Sequence, residues 1–399
     1  MAALLRGVFI IGAKRTPFGT FGGKLRDLTA TRLGAIASRA ALENAGIKPD
    51  EVNSVTFGTV LQASSRDGPY ISRHVALSAG VPESVPCLTV NRLCGSGFQS
   101  IITGSQEICL REAEVVLAGG AENMSQAPYA VRDIRFGTKF GTDYKLEDTL
   151  WSSVYDTYVD MPMAITAENL ATKYKISREE CDKFALLSQN RWKQAQDNNR
   201  FSEELVSVAV VVKGKDSLLE VDEHPRPQTT MEGLAKLKPV FKKGGVVTAG
   251  NASGICDGAA AVVLASEEYI KAKSLKPLAR IVGYSYVGVD PTIMGIGPAD
   301  AIRKLCDNTG IKIQDVDIID INEAFASQFL AVQKELNLDP AKTNVNGGAI
   351  ALGHPVGASG SRITANLVYE LRARKAKYAI GSACIGGGQG IAIMLENIN

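Results

Sequence analysis

The chain has 399 residues, too many for one compact core, so length alone points to two or three domains or to a duplicated one. Hydrophobic residues make up 45%, charged residues 22% and aromatic residues 6%, a balance that excludes a disordered, collagenous or disulfide-framework protein. With 44 Lys and Arg against 42 Asp and Glu, the formal charge of +2 argues against nucleic-acid binding by counterion release, so any anion site must be local.

The chain opens with Arg6, Lys14, Arg15, Lys24 and Arg26 and has no acid before Asp27. This asymmetry fits a mitochondrial targeting segment, and equally a first strand with exposed basic flanks. Leu4 to Ile11 reads as that strand, Arg15 to Gly23 as a Pro/Gly loop, and Ala30 to Asn44 as an Ala-rich helix ending before Gly46. Ser54 to Val60 is the next strand and Ile71 to Ala79 the next helix. Cys87 to Val90 is a short buried strand running into a glycine turn at Cys94, followed by a helix from Phe98 to Arg111 and a strand from Glu114 to Ala118. Such alternation predicts an α/β fold with a mostly parallel sheet between helix layers.

Residues 121–244 break that rhythm with both tryptophans, an amphipathic helix from Arg178 to Asn198 and the turn-rich Pro225-Arg226-Pro227. They read as an inserted loop domain. The compact pattern returns at Thr248, with Ala259 to Leu264 as a buried strand, and from Ala279 the earlier order repeats. Thr89-Val90-Asn91 before Cys94 matches Asn344-Val345-Asn346 before His354, and the strand at 114–120 matches Tyr378 to Ser382. The expected organisation is therefore a first half of 1–120 with 245–272, a loop domain of 121–244 and a second half of 273–399. Each half donates a turn at a strand end, where ligands collect in open α/β sheets. No run reaches the roughly 18 consecutive apolar residues of a membrane helix, so no membrane span is expected.

Seven cysteines without a dense framework suggest free thiols in a reducing compartment. Cys94 stands between a strand and the first turn of a helix, where unpaired N–H groups favour a thiolate and flanking glycines admit a substrate carbonyl. An isolated cysteine is more often inert core, and Cys87, Cys109, Cys181, Cys256 and Cys306, which lack a converging base, are read so. His354 lies in a glycine-dense loop before a helix from about Ser361, where a neutral imidazole can take the Cys94 proton and form a thiolate–imidazolium pair. His74 and His224 lack such a setting and are assigned ordinary packing roles. Cys384 ends a strand before Gly386-Gly387-Gly388, which reads as a thiol acid/base beside oxyanion-binding amides; a phosphate loop fits less well because the G-x-G-x-x-G spacing is missing. Asn322, after the strand Ile318 to Ile321, is either a site residue or a helix cap.

Four blocks in order, V-N-R-L-C-G-S-G-F-Q-S at 90–100, N-E-A-F-A at 322–326, G-G-A-I-A-L-G-H-P at 347–355 and C-I-G-G-G-Q-G at 384–390, resemble the thiolase family. K-R-T-P-F-G at 14–19 and N-A-S-G-I-C-D-G-A at 251–259 resemble it too, so the likeness spans essentially the whole chain. It implies a five-layered α-β-α-β-α fold of two duplicated halves, a homotetramer built as a dimer of dimers, and thiolytic cleavage of a 3-ketoacyl-CoA in fatty acid β-oxidation. It further implies that Cys94 is the nucleophile, that Cys384 protonates the acetyl-CoA enolate and deprotonates incoming CoA, and that His354 activates Cys94. His354 and a water on Asn322 would form one oxyanion hole, and the N–H groups of Cys94 and Gly386 the other.

Coenzyme A would be a co-substrate, with no permanently bound cofactor and no metal. Arg226, Thr229 and Ser253 match the family's CoA-contacting segments, with Arg226 expected at the CoA nucleotide end in preference to the alternative of a solvated arginine. The chain departs from the family's M-G-x-T-A-E at Met163-Ala164-Ile165-Thr166-Ala167-Glu168, and Pro162 replaces a histidine frequent in short-chain relatives. Both departures border the expected acyl pocket and leave chain length open, with acetoacetyl-CoA cleavage as the alternative. Rivals are a decarboxylating ketoacyl synthase, disfavoured by the second cysteine, and a non-catalytic CoA-binding module, disfavoured by the intact set of groups. Weak acyl-CoA hydrolysis is an expected side reaction. Asn397-Ile398-Asn399 is no peroxisomal tripeptide, which makes the mitochondrial matrix the expected compartment.

Overall fold

The computed structural model describes residues 3–398, with side chains from Gly7 onward. The first half comprises β1 (Ala3–Arg15), α1 (Ala30–Ala45), β2 (Ser54–Gly58), α2 (Ile71–Ser78), β3 (Cys87–Val90), α3 (Ser96–Cys109) and β4 (Val115–Asn123). In α1 the local chemistry is plain: Thr29 accepts the Arg32 N–H at the start, alanines favour the interior, and left-handed Gly46 ends it. A segment carrying α4 (Met163–Lys173) and α5 (Arg178–Asp197) follows, and β5 (Cys256–Ser266) completes the half. The second half comprises β6 (Ala279–Gly288), α6 (Gly297–Thr309), β7 (Ile318–Ile321), α7 (Ala326–Leu336), the one-turn α8 (Ala349–Leu352), α9 (Ser359–Arg374), β8 (Tyr378–Ile385) and β9 (Gln389–Glu396).

These strands follow one path, β7-β8-β9-β6-β1-β5-β4-β2-β3. From its outer edge inward the first half runs β3-β2-β4-β5-β1. The second runs β7-β8-β9-β6, with Thr343 bridging Ile319 of β7 where β3 lies in the first half. The internal repeat is thus a repeat of topology. The expectation of a mostly parallel sheet is corrected, because only β2/β3, β2/β4 and β7/β8 are parallel. The pairs β1/β5, β1/β6, β4/β5, β6/β9 and β8/β9 are antiparallel. The cause is clearest at β8 and β9, which are joined by the Gly386–Gly388 turn, too short for a parallel crossover.

Between the halves α3 and α9 pack together through Phe98, Ile101, Ile363 and Leu367. On the outer face of the first half α1 and α2 bury Leu33, Leu42 and Val75, and on that of the second α6 and α7 bury Ile302, Leu305 and Phe329. The result is the five-layered α-β-α-β-α arrangement, and the whole of β5 is buried, as a strand covered on both faces must be. Residues 121–244 add to these cores: the Phe184 ring of α5 stacks on Phe329 with centroids 4.2 Å apart, while Val208, Val210 and Leu219 enter the first-half cluster.

Of the two readings of the basic start, a strand is what residues 3–15 form, and β1 lies mid-sheet between β5 and β6. Arg6 lies outside the described side chains. Arg15 is not an exposed flank but fully buried, with Nε 2.6 Å from Glu204 and Nη1 2.6 Å from Asp222. Those two carboxylates hold its guanidinium firmly charged against burial. Arg15→Met should leave both carboxylates buried without a counter-charge and destabilise the protein by about 3–5 kcal/mol. Urea denaturation measures this, and a loss below about 1 kcal/mol would refute the arginine's structural role.

Candidate active site

The Cys94 turn is built by two neighbours. Asn91 Oδ1 accepts the Leu93 N–H at 2.9 Å, while Ser96 Oγ accepts the Arg92 N–H at 2.9 Å and donates to Leu93 O at 2.7 Å. Together they hold Leu93 at φ 46°, a left-handed conformation costing about 1–3 kcal/mol for such a side chain. They also start α3 at Ser96, two residues earlier than its apolar pattern suggests. Cys94 is left at the mouth of the turn, partly exposed, with the N–H of Gly386 and its own N–H reaching the thiol. Burial of the sulfur nonetheless pushes the thiol up to about 11, outweighing those N–H groups, with the Glu122 carboxylate adding to the rise.

His354 is fixed on three sides. Its N–H donates to Gly254 O at 2.9 Å. Ser359 Oγ donates to Pro355 O at 3.3 Å, so it accepts from Nδ1–H of His354 at 2.6 Å. Nε2 is thereby the lone-pair nitrogen, facing Asn322 Nδ2 at 3.4 Å. Burial, then the charge of Arg362, lowers the imidazole to about 4. A thiol near 11 and an imidazole near 4 are both neutral at pH 7, so the thiolate–imidazolium pair expected from sequence is not the resting state. At rest the proton stays on sulfur.

The two halves meet where these residues lie. Ser361 Oγ donates to Gly97 O at 3.1 Å, and a Cβ on Gly97 would stand 2.6 Å from the Ser361 nitrogen, so only glycine permits this approach of α3 to α9. A second tie is Glu122, which the sequence reading passed over although it is a carboxylate at the end of an apolar strand. Its Oε1 accepts from Leu61 N at 3.0 Å and Thr59 Oγ1 at 3.2 Å. Its Oε2 accepts from Val60 N and from Gly357 N, three residues beyond His354, each at 3.0 Å. Burial pushes this carboxyl up to about 7 against those bonds.

Cys384 is fully buried near the end of β8, packed with Met294 and Ala324 and bordered by Met163 and Phe325. Burial and the neighbouring Cys94 raise its thiol far above the usual range. Gly386 follows at a crowded point, where a Cβ would lie 3.2 Å from Leu93 Cδ1 and 3.6 Å from Met163 Sδ. Met163, which stands between the two departures Pro162 and Ala164, therefore sits beside both Cys384 and Gly386. Asn322 continues the β7/β8 pairing by donating its N–H to Ser382 O at 2.9 Å. It does not cap α7, whose N-cap is Phe325. Its side chain turns to His354 instead, and its buried Oδ1 has no hydrogen-bond partner among the described residues. Glu323 anchors the strand end through Ser188 Oγ at 2.7 Å, Asn344 Nδ2 at 2.9 Å and Ile350 N at 3.1 Å.

Of the expected CoA residues, Ser253 is tied to the centre by its N–H on Ala324 O at 2.9 Å. Arg226 is exposed, with its N–H on Gln189 Oε1 at 2.9 Å, and Thr229 Oγ1 donates to Arg226 O at 2.7 Å. His74 remains remote, stacked on Tyr70. His224, taken from sequence as an ordinary packing residue, instead reaches the His354 loop with Nδ1 2.7 Å from Ala351 O. Cys256 lies against Gly353, next to His354. Among the described residues no group of three or more His, Cys, Asp and Glu side chains is arranged to hold a metal.

Residues 8–268 match the N-terminal domain of thiolases and residues 275–397 their C-terminal domain. The chain is 62% identical to the mitochondrial 3-ketoacyl-CoA thiolase of Bos taurus and 61% identical to that of Homo sapiens, over 395 residues covering 99% of each chain. The crystal structure of human mitochondrial 3-ketoacyl-CoA thiolase superposes with a TM-score of 0.98 at 61% identity, covering 99% of this chain and 100% of that one. Its complex with CoA gives 0.97 at 61% identity, covering 100% and 99%. The Bacillus anthracis acetyl-CoA acetyltransferase gives 0.96 at 45% identity, covering 100% of both. Matches to both domains in order, and identity above 60% along almost the entire length, make this chain a member of the thiolase family.

Proposed function

We propose that the chain is a 3-ketoacyl-CoA thiolase of fatty acid β-oxidation in the mitochondrial matrix, cleaving its substrate with CoA into acetyl-CoA and an acyl-CoA two carbons shorter. What supports this reading is that the Gly386 N–H reaches the Cys94 thiol, that the Cys384 thiol neighbours Cys94, and that Asn322, whose N–H is held by Ser382 two residues before Cys384, faces the neutral imidazole of His354. As Cys94 attacks the 3-keto carbon, its proton passes to His354 Nε2. The C2–C3 bond then breaks, its electron pair forms the acetyl-CoA enolate, and the Cys384 thiol protonates that carbon. Incoming CoA gives its thiol proton to the Cys384 thiolate and attacks the acyl group on Cys94, whose sulfur leaves and regains the proton from His354. The N–H groups of Cys94 and Gly386, which already reach the Cys94 sulfur, would bind the oxyanion formed beside it. His354 and a water accepted by Asn322 Oδ1 would serve the thioester oxygen.

Arg226, Thr229 and Ser253 are assigned to CoA, Arg226 to its anionic nucleotide end. A homotetramer built as a dimer of dimers fits two surfaces. The sheet-edge strand β3 leaves one side unpaired beside exposed Leu88, and the hairpin Tyr129–Val131/Leu146–Asp148 displays Phe136 and Phe140. Sedimentation at four times 42.4 kDa would match the tetramer, and a monomer would refute it. The activity is tested by the loss of magnesium-enolate absorbance of acetoacetyl-CoA and of a medium-chain 3-ketoacyl-CoA. Turnover of the medium-chain substrate that requires CoA is expected, with slow acid release when CoA is omitted. No CoA-dependent loss with either substrate would overturn the reading, and turnover of acetoacetyl-CoA alone would narrow it to the short-chain reaction.

A further inference from the structure

The strip that carries Arg226 and Thr229 is bonded at two adjacent points to α8, the single turn that leads into His354. His224 Nδ1 lies 2.7 Å from Ala351 O and, with a proton on that nitrogen, donates to it. Gln189 of α5 accepts the Arg226 N–H through Oε1 at 2.9 Å and donates through Nε2 to Ile350 O at 3.4 Å. The other edge of the His224 ring covers Gly254, where a Cβ would stand 1.7 Å from Nε2, so the ring and the glycine backbone are in direct contact. Gly254 O in turn accepts the His354 N–H at 2.9 Å. The His224 ring therefore touches both backbone segments that locate His354: the turn before it and the carbonyl that holds its amide.

We propose that His224 is a positioning residue for His354, acting through Ala351 and Gly254, with Gln189 reinforcing it at Ile350. This rests on the reading of His354 as the base for Cys94. His224 does not touch the reacting atoms; it sets where Nε2 of His354 stands relative to the Cys94 thiol. Burial keeps its ring in the neutral form, which leaves a single N–H for the Ala351 carbonyl. Because the same strip carries Arg226, a ligand held there is one hydrogen bond from the turn that aims the base.

The test compares His224→Leu, which removes the donor, with His224→Asn, whose amide can donate to the same carbonyl. The readouts are kcat, KM for CoA, and the rate at which iodoacetamide alkylates Cys94 without CoA. We expect His224→Leu to lower kcat about 10-fold or more and to slow alkylation by a similar factor, with KM for CoA changing less than about 3-fold. His224→Asn should recover most of both rates. The proposal is overturned if His224→Leu keeps wild-type rates, if its loss falls on KM alone, or if Asn fails to recover activity while restoring thermal stability. His354→Gln, assayed beside them, separates the two readings: unchanged alkylation there refutes His354 as the base, whatever His224 does.

Discussion

Cys94→Ala should abolish formation of the acyl-enzyme and lower thiolytic turnover by on the order of 10⁴-fold or more, the usual result of removing a covalent nucleophile. The size of the effect follows from the surroundings of the second thiol. Cys384 cannot stand in, because it is fully buried and its thiol is raised further than that of Cys94. Nor is it the sulfur that the Gly386 N–H reaches, so an oxyanion formed on it would lack that donor. Mass spectrometry of protein mixed with acyl-CoA reads the result directly as an acyl adduct on wild type and none on the variant. The partly exposed Cys94 contributes little packing, so the thermal midpoint should stay close to wild type. An adduct that persists in Cys94→Ala would move the nucleophile elsewhere and sink the assignment.

The division of labour between sequence and structure has a physical basis. Cys94, Asn322, His354 and Cys384 were legible because each stands at a strand end or in a glycine loop, settings with local signatures in spacing and turn residues. Sheet direction was less so: β4 and β5 pair antiparallel although about 130 residues separate them, and no local pattern encodes a partner so distant. The protonation states were also hidden. A histidine among glycines reads as a neutral imidazole able to take the Cys94 proton and form an ion pair, yet burial beside Arg362 makes it too weakly basic to hold that proton at rest. Glu122 has no local signature and His224 reads as an ordinary packing residue for the same reason, since their contacts lie with backbone groups of Gly357, Ala351 and Gly254, each more than 25 positions away in sequence.

Cys384→Ala should separate nucleophilic attack from proton transfer. Turnover is expected to fall about 10²–10⁴-fold, the usual size of the loss when a general acid and base is removed. Labelling of Cys94 by iodoacetamide should stay within about 3-fold of wild type, since Gly386 N–H and His354 remain in place. No larger change is expected, for the Cys384 thiol is raised further than that of Cys94 and is still neutral when Cys94 ionises. The elevated range of the Cys384 thiol suits it to give a proton to carbon and to take one from the thiol of CoA. A thiolate held in an apolar pocket of Met294 and Ala324 is a strong base, and its conjugate acid gives a proton only to a stronger one such as a carbanion. Serine at this position should not restore turnover, because its hydroxyl is a far weaker acid than the thiol. Stability should drop by only about 1 kcal/mol for the lost sulfur. If turnover and Cys94 labelling fall together, Cys384 is holding the site's shape instead, and if neither falls, the proton travels by another route.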